Sequence, residues 1–165
     1  MTVCEPSGSV HGVDGPCPDG WRRGDSTVPD PWVALSARPW LSLLYADIPE
    51  PARYYDQERC IVLRRGLPGP AQRRYLWHEL VHADRRDLAQ HGERRVECLV
   101  ERLAVRWALP LSSLTWALRR ECEAHDVAGL LQLPEDWVRF RLAVARPGER
   151  AVLRRAGARR RVGVA

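Results

Sequence analysis

Apolar and polar residues alternate along this chain with two different periods. Residues 40–48, Trp-Leu-Ser-Leu-Leu-Tyr-Ala-Asp-Ile, read as a strand closed by Pro49. Arg53-Tyr54-Tyr55-Asp56 and Cys60-Ile61-Val62-Leu63 read as two more short strands, with a turn at Gln57-Glu58. Three short strands this close in sequence predict a small antiparallel sheet. Gly66 to Pro70 then punctuates the chain, and the period changes to that of a helix. From residue 71 to about 87, Leu76, Leu80 and Ala83 recur at helical spacing, flanked by Arg73, Arg74, Arg85 and Arg86. A second helix is predicted over about 93–109, with Val96, Val100, Leu103, Ala104 and Trp107 on one side and Pro110 as its stop. Shorter helices are predicted over 112–122, 127–131 and 134–144, with Asp126 as an N-cap and Pro134 in a first turn.

The two ends lack such periods. Residues 1–30 are rich in Gly, Pro, Ser and Asp and read as a flexible arm. Residues 147–165 are Arg-rich and contain glycine, and are expected to form a disordered tail. Between them, residues 31–146 form the expected domain, of which about 111–146 is a helical tail. No internal repeat is visible. The fold class expected is α+β.

Composition changes this picture little. A chain of 165 residues, 45% hydrophobic and 28% charged, is ordinary for one globular domain with a core. No apolar run approaches the roughly 20 residues that span a bilayer. The start, Met1-Thr2-Val3-Cys4-Glu5, has neither the basic region nor the apolar stretch of a secretory signal, so a cytoplasmic location and no membrane partner are expected. The net charge is +5, but all 26 basic residues are arginine. A GC-rich coding sequence gives that bias whatever the function, so nucleic acid is not the expected partner. Five cysteines, Cys4, Cys17, Cys60, Cys98 and Cys122, show no C-x-x-C spacing, which argues against a disulfide framework and a structural zinc site. Cys98 and Cys122 fall in helical patterns and are expected to be small buried residues. Cys4, His11 and Cys17 match no ligand pattern.

The chemistry is carried by His78-Glu79-Leu80-Val81-His82. On a helix, His78 and His82 project from one face about one turn apart, where two neutral imidazoles can hold one Zn²⁺. Glu79 adjoins the first of them and can take a proton from a metal-activated water and pass it to a leaving amine. With five His and eleven Glu, chance supplies this pentapeptide roughly once in a hundred such chains. Here it also falls within a helical segment, as the mechanism requires.

A catalytic zinc needs a third protein ligand. The pattern H-E-x-x-H-x-x-G-x-x-H fails, because Arg85 stands at the glycine position and Leu88 at the third ligand. A Glu on the following helix is the alternative. Glu97 and Glu101 lie four apart and share a face, so Glu97 is the expected ligand and Glu101 the acceptor for a ligand His N–H. Glu93, one turn earlier, is the weaker candidate.

These residues resemble the ImmA/IrrE-type metallopeptidases, in a form like those of actinobacteria and their mobile elements. The resemblance spans residues 40–145 and rests on the strands before the helix, on residues 73–85, on Glu97-x-x-Val100-Glu101-x-Leu103-Ala104 and on Trp107-Ala108-Leu109-Pro110. The family's second motif is usually E-x-x-A-(N/D)-x-F-A, whose first Glu is the third ligand and maps to Glu97. Val100, Glu101 and Leu103 stand where the family usually has Ala, Asn or Asp, and Phe, and Val81 stands where a Gly is common. The resemblance implies a zincin-like (gluzincin-like) fold, with the sheet packed on the HExxH helix. It also implies a zinc endopeptidase that cleaves a helix-turn-helix repressor of a mobile element or stress regulon. Residues 126–143 loosely resemble a helix-turn-helix, but Val127, Leu130, Leu131, Trp137, Val138 and Leu142 read as core packing. A donor to the oxyanion is expected among Tyr75, His91, His125 and nearby arginines, which the sequence does not separate. The rival reading is a catalytically inactive metalloprotease-like regulator that binds a repressor or DNA.

Overall fold

Four consecutive apolar residues, Cys60-Ile61-Val62-Leu63, place strand β3 (Cys60–Arg64) in the middle of the sheet, because such a run is buried on both faces. A computed structural model describes residues 28–86, 93–120 and 123–162, without the side chains of 159–162. Among these residues the protein is α+β and mostly helical, with one three-stranded sheet and seven helices. Strands β1 (Ser42–Ala46) and β2 (Ala52–Tyr55) flank β3, in the order β1-β3-β2. β2 runs antiparallel to β3, but β1 runs parallel to it, with Ser42 opposite Cys60 and Ala46 opposite Arg64. The sheet is therefore mixed, and the expectation of an antiparallel sheet is corrected. Sequential pairing would put β2 in the centre, yet β2 carries Arg53 and the exposed Tyr55, whereas β3 has no polar residue before Arg64. The strand with most to bury takes the slot covered on both edges.

Helix α2 (Gly69–Arg85) follows and lies against β2 and β3, burying Leu76, Leu80, Val81 and Ala83 in a core shared with Ile61 and Leu63. Pro70 sits in its first turn, and Arg86, in the left-handed region at φ 50°, ends it. Its end is tied to the chain before β1 by Arg38, whose Nε donates to Asp84 Oδ1 at 2.7 Å. Helix α3 (Arg94–Ala108) packs on α2 with Val100, Ala104 and Ala108 fully buried. Trp77 of α2 and Trp107 of α3 meet edge to face with ring centroids 6.4 Å apart. Helices α4 (Leu111–Leu118), α5 (Ala124–Leu131) and α6 (Glu135–Ala143) complete the core through Leu114, Val127, Leu131, Trp137 and Val138. Their starts differ a little from expectation: Glu123 is the N-cap of α5 with Asp126 in its first turn, and Pro134 is the N-cap of α6. No helix among the described residues is long and apolar enough to cross a membrane.

Two elements escaped the sequence reading. Helix α1 (Pro31–Ser36) is started by Asp30, whose carboxylate accepts from the backbone N–H of Trp32 at 2.8 Å, with Pro31 at the first helical position. The tail expected to be disordered from residue 147 is instead helix α7 (Pro147–Val162), which packs on α4 and buries Leu153 and Ala156. Gly148 and Gly157 lower its intrinsic propensity, but its start is well specified. Pro147 opens it, and Glu149 Oε2 reaches back to the backbone N–H of Arg146 at 2.8 Å. The flexible arm expected over residues 1–30 falls outside the described residues up to residue 27, and the tail does so after residue 162.

Glu149 also anchors Arg141, a guanidinium only 1% exposed. Arg141 donates from Nη2 to Glu149 Oε1 at 2.7 Å and from Nε to the carbonyl of Leu109 at 2.9 Å, linking α6, α7 and the end of α3. The hydrogen bond from Arg141 is the main reason that the Glu149 carboxyl is held below its ordinary range. A depressed carboxylate stabilises the fold above its unfolded-state value and loses that contribution as pH falls through the folded-state value. Replacing Glu149 by Gln leaves a buried charge without its partner, so a loss of about 3 kcal/mol is expected at pH 7. Urea unfolding of wild type and Glu149→Gln should show that gap at pH 7 and its closing under acid; equal midpoints at pH 7 would contradict the assignment.

Candidate metal centre

The central pentapeptide lies in the middle of α2, where the helical turn brings His78 and His82 onto one face. Their Nε2 atoms are 3.2 Å apart. Glu97 stands in the first turn of α3, on the face next to the buried Val100 and Ala104, so packing of α3 on α2 carries its carboxylate to the imidazoles. Glu97 Oε2 is 3.1 Å from His78 Nε2, and Oε1 is 3.7 Å from His82 Nε2. The ligand atoms that His78, His82 and Glu97 offer all lie within 4.8 Å of one another.

These separations bear on what the site can hold. Ligand atoms about 2.0–2.1 Å from one tetrahedral zinc stand about 3.3 Å from each other. The 3.1 Å from His78 to Glu97 Oε2 and the 3.2 Å between the imidazoles are of that size, and the other Glu97 oxygen, Oε1, is the one 3.7 Å from His82. The donor set of two imidazole nitrogens and a carboxylate is that of a three-ligand zinc site with a fourth position left for the reaction. Protonation tells the same story. Glu101 Oε2 lies 2.9 Å from His78 Nδ1, and a carboxylate there accepts the Nδ1 proton. In the neutral ring Nε2 then carries a lone pair, which faces the Glu97 carboxylate and the second imidazole. A metal cation satisfies those lone pairs, and so does a proton on His78 Nε2 donated to Glu97. His78, His82 and Glu97 could together hold a metal ion.

Glu101, four residues after Glu97, lies on the same face of α3 and contacts His78. Its Oε1 accepts from Arg74 Nη2 at 2.7 Å and from the indole Nε1 of Trp137 at 2.9 Å. Burial opposes ionisation of Glu101, but the His78 hydrogen bond and the Arg74 charge outweigh it and hold its carboxyl below the ordinary range. Burial likewise works against the charged form of His78, yet the Glu101 hydrogen bond and the charges of Glu79, Glu101 and Glu97 win, and its affinity for a proton is raised. A metal ion held there would compete with a proton for the same nitrogen.

Glu79 is 3% exposed and sits beside the two histidines. Burial pushes its carboxyl up to about 7, a shift that His78, the backbone N–H of Tyr54 and Arg53 partly oppose and the Glu97 charge reinforces. A carboxyl with that value exchanges protons readily at neutral pH. Glu79, His78 and Glu97 line one cleft of about 520 Å³, bounded by Ala52 of β2, Arg102 of α3 and Phe140 of α6. Tyr75 and Arg74 also line it.

The other sequence candidates fall elsewhere. Glu93 is the exposed N-cap residue of α3 and does not line the cleft. His125, with a side chain 83% exposed, lies 3.5 Å from Glu135 and also does not line it. Cys98, expected to be buried, is exposed on the cleft wall, while Cys60 is buried in the sheet. Cys4, His11, Cys17, His91 and Cys122 fall outside the described residues. Sequence reasoning missed Arg74 and Trp137 as partners of Glu101. Arg74 was legible in principle, because it precedes His78 by four residues and so shares its face of α2; nothing local marks Trp137.

No protein-family model, no curated protein and no solved structure matches this chain.

The metal-free protein is expected to take up one zinc ion per chain and to gain thermal stability as it does so. The gain should be about 4 kcal/mol when free zinc is a thousandfold above its Kd. Calorimetric titration and thermal scans of His82→Ala and Glu97→Gln should show neither uptake nor stabilisation. Unchanged stoichiometry in both variants would rule out these ligands.

Proposed function

We propose that the protein is a zinc metalloendopeptidase of the ImmA/IrrE type, acting in the cytoplasm on a helix-turn-helix transcriptional repressor of a mobile element or stress regulon. The observation that carries this reading is the convergence of His78, His82 and Glu97 from two helices, with the buried Glu79 beside them in an open cleft. That geometry supports the reaction class, and the family resemblance of the two helical motifs is what suggests a repressor as substrate.

His78, His82 and Glu97 would hold the zinc. When bound there, it supplies Lewis acidity, which activates water and polarises a carbonyl. The chain's own groups do the rest. Glu79 accepts the proton of the attacking water and delivers it to the leaving amine; its elevated proton affinity suits both transfers near neutral pH. Glu101 keeps the Nδ1 proton on His78 and so leaves Nε2 as the ligand atom.

The sheet edge offers a place for an extended peptide. In β2 the carbonyl of Pro51 accepts from Arg64 at 2.9 Å, so the alternation of an antiparallel pair turns the backbone groups of Ala52 and Tyr54 away from β3. The Tyr54 N–H reaches Glu79, and Ala52 borders the cleft. A substrate strand laid along this edge has its backbone carbonyls beside the metal centre. This gives the cleft a way to take main chain with little regard to sequence, and leaves selection of the repressor to contacts further out.

The decisive experiment pairs zinc-loaded wild type with Glu79→Gln against a panel of purified helix-turn-helix repressors, read by mass spectrometry of the fragments. Wild type should cut at a defined bond. Glu79→Gln should bind zinc equally and lose activity by about 10²–10⁴-fold. If both proteins leave every repressor whole yet release it from its operator equally well, the chain is a non-catalytic regulator and the peptidase reading is wrong.

A further inference from the structure

We propose that Trp137 and Arg74 are positioning residues for the metal centre, acting through Glu101, so that helix α6 forms part of the site and is not only a packing element. The inference rests on the zinc reading above and extends it to two side chains beyond His78, His82, Glu97 and Glu101.

The two oxygens of Glu101 have separate duties. Oε2 faces His78 Nδ1 at 2.9 Å, while Oε1 takes the Trp137 indole N–H at 2.9 Å and the Arg74 Nη2 at 2.7 Å. A glutamate side chain has three rotatable torsions, and a single hydrogen bond to an imidazole leaves the carboxylate plane free to turn. Donors from α2 and α6, converging on the opposite oxygen, remove that freedom. His78 then has one orientation in which its Nδ1 proton meets an acceptor and its Nε2 faces Glu97.

Trp137 has no exposed surface, and a buried indole N–H needs an acceptor. A carbonyl of a neighbouring helix would satisfy it. Instead it meets a carboxylate that contacts the metal-site histidine. The neighbouring residue strengthens the grip: Arg74 Nη1 donates to Asp136 at 2.6 Å, and Asp136 and Trp137 are adjacent on α6. One arginine on α2, four residues before His78, thus holds both Glu101 and the start of α6.

The test is zinc affinity, measured on the full chain by competition with a chromophoric chelator. Trp137→Phe keeps a ring in the core and removes the N–H, and Arg74→Gln removes the charge at a side chain that is partly exposed. Each should weaken zinc binding about tenfold, the lower end of what lost outer partners of metal ligands cost. Each is also made on a Glu101→Ala background, where the further loss should nearly vanish, since the acceptor for both donors is already gone. A purely structural Trp137 would lower unfolding stability in both backgrounds and leave the affinity unchanged. Wild-type affinity in both single variants overturns the proposal, and so does an undiminished loss on the Glu101→Ala background. If Trp137→Phe does not fold, the Arg74→Gln pair decides alone. Wild-type protein that takes up no zinc overturns the metal reading itself, a different result from zinc bound equally by all variants.

Discussion

The centre depends on the register in which α3 packs against α2. His78 and His82 are placed relative to each other by one helical turn, but Glu97 reaches them only because Val100, Ala104 and Ala108 bury the adjoining face of α3 against the core. The edge-to-face contact of Trp77, the residue before His78, with Trp107 near the end of α3 is a further tie between the two helices. A slip of α3 by one turn would carry Glu101 toward the ligand position and leave His78 Nδ1 without its acceptor. Apolar packing thus sets a polar geometry to within a hydrogen-bond length, and the separations of 3.1 and 3.7 Å from Glu97 to the two rings express that register.

Charge in the cleft follows from the same packing. Glu79, Glu97 and Glu101 line one cleft with His78, and His82 is fully buried next to it; three bare carboxylates there would repel strongly. The molecule treats each differently. Arg74 and the Trp137 indole satisfy Glu101, which stays ionised. Glu79 is buried and drawn toward the neutral form. Glu97 faces both histidines, where a bound cation would balance it. Three carboxyl groups of one residue type therefore acquire three roles from their surroundings, as pairs of titratable groups in catalytic sites often do.

The second half of the chain supports this centre mechanically. Arg141, buried between the end of α3 and the start of α7, joins those helices to α6 through Leu109 and Glu149. α6 in turn presents Trp137 and Asp136 to Glu101 and Arg74. The first half closes the opposite side, where Asp30 holds Arg73 at 3.1 Å and Trp32 lies under its guanidinium. Helix α2 is thus held along its length, by the sheet on one side, α3 and α6 on another, and α1 near its start.

Sequence alone determined what is local. The helical period from Leu76 to Ala83, the i,i+4 spacing of His78 and His82 and that of Glu97 and Glu101 each need only one helix to acquire meaning, and each lies where the period predicted. The apolar run of β3 was visible too, but its consequence was not. Whether a buried strand pairs with its sequence neighbours or is inserted between them depends on which residues the whole sheet must cover, so the parallel β1–β3 pairing had to come from the fold. Helix α7 escaped for the opposite reason: its glycines lower local propensity and its dense arginines hide the apolar period, while the seat for Leu153 and Ala156 and the Arg141–Glu149 pair are tertiary. Trp137 reads in sequence as one more apolar residue at a core position, and its burial agrees with that. Its indole proton acquires a carboxylate partner 36 positions earlier only when α3 and α6 are packed together, because a side-chain hydrogen bond between distant residues leaves no periodic trace in either helix.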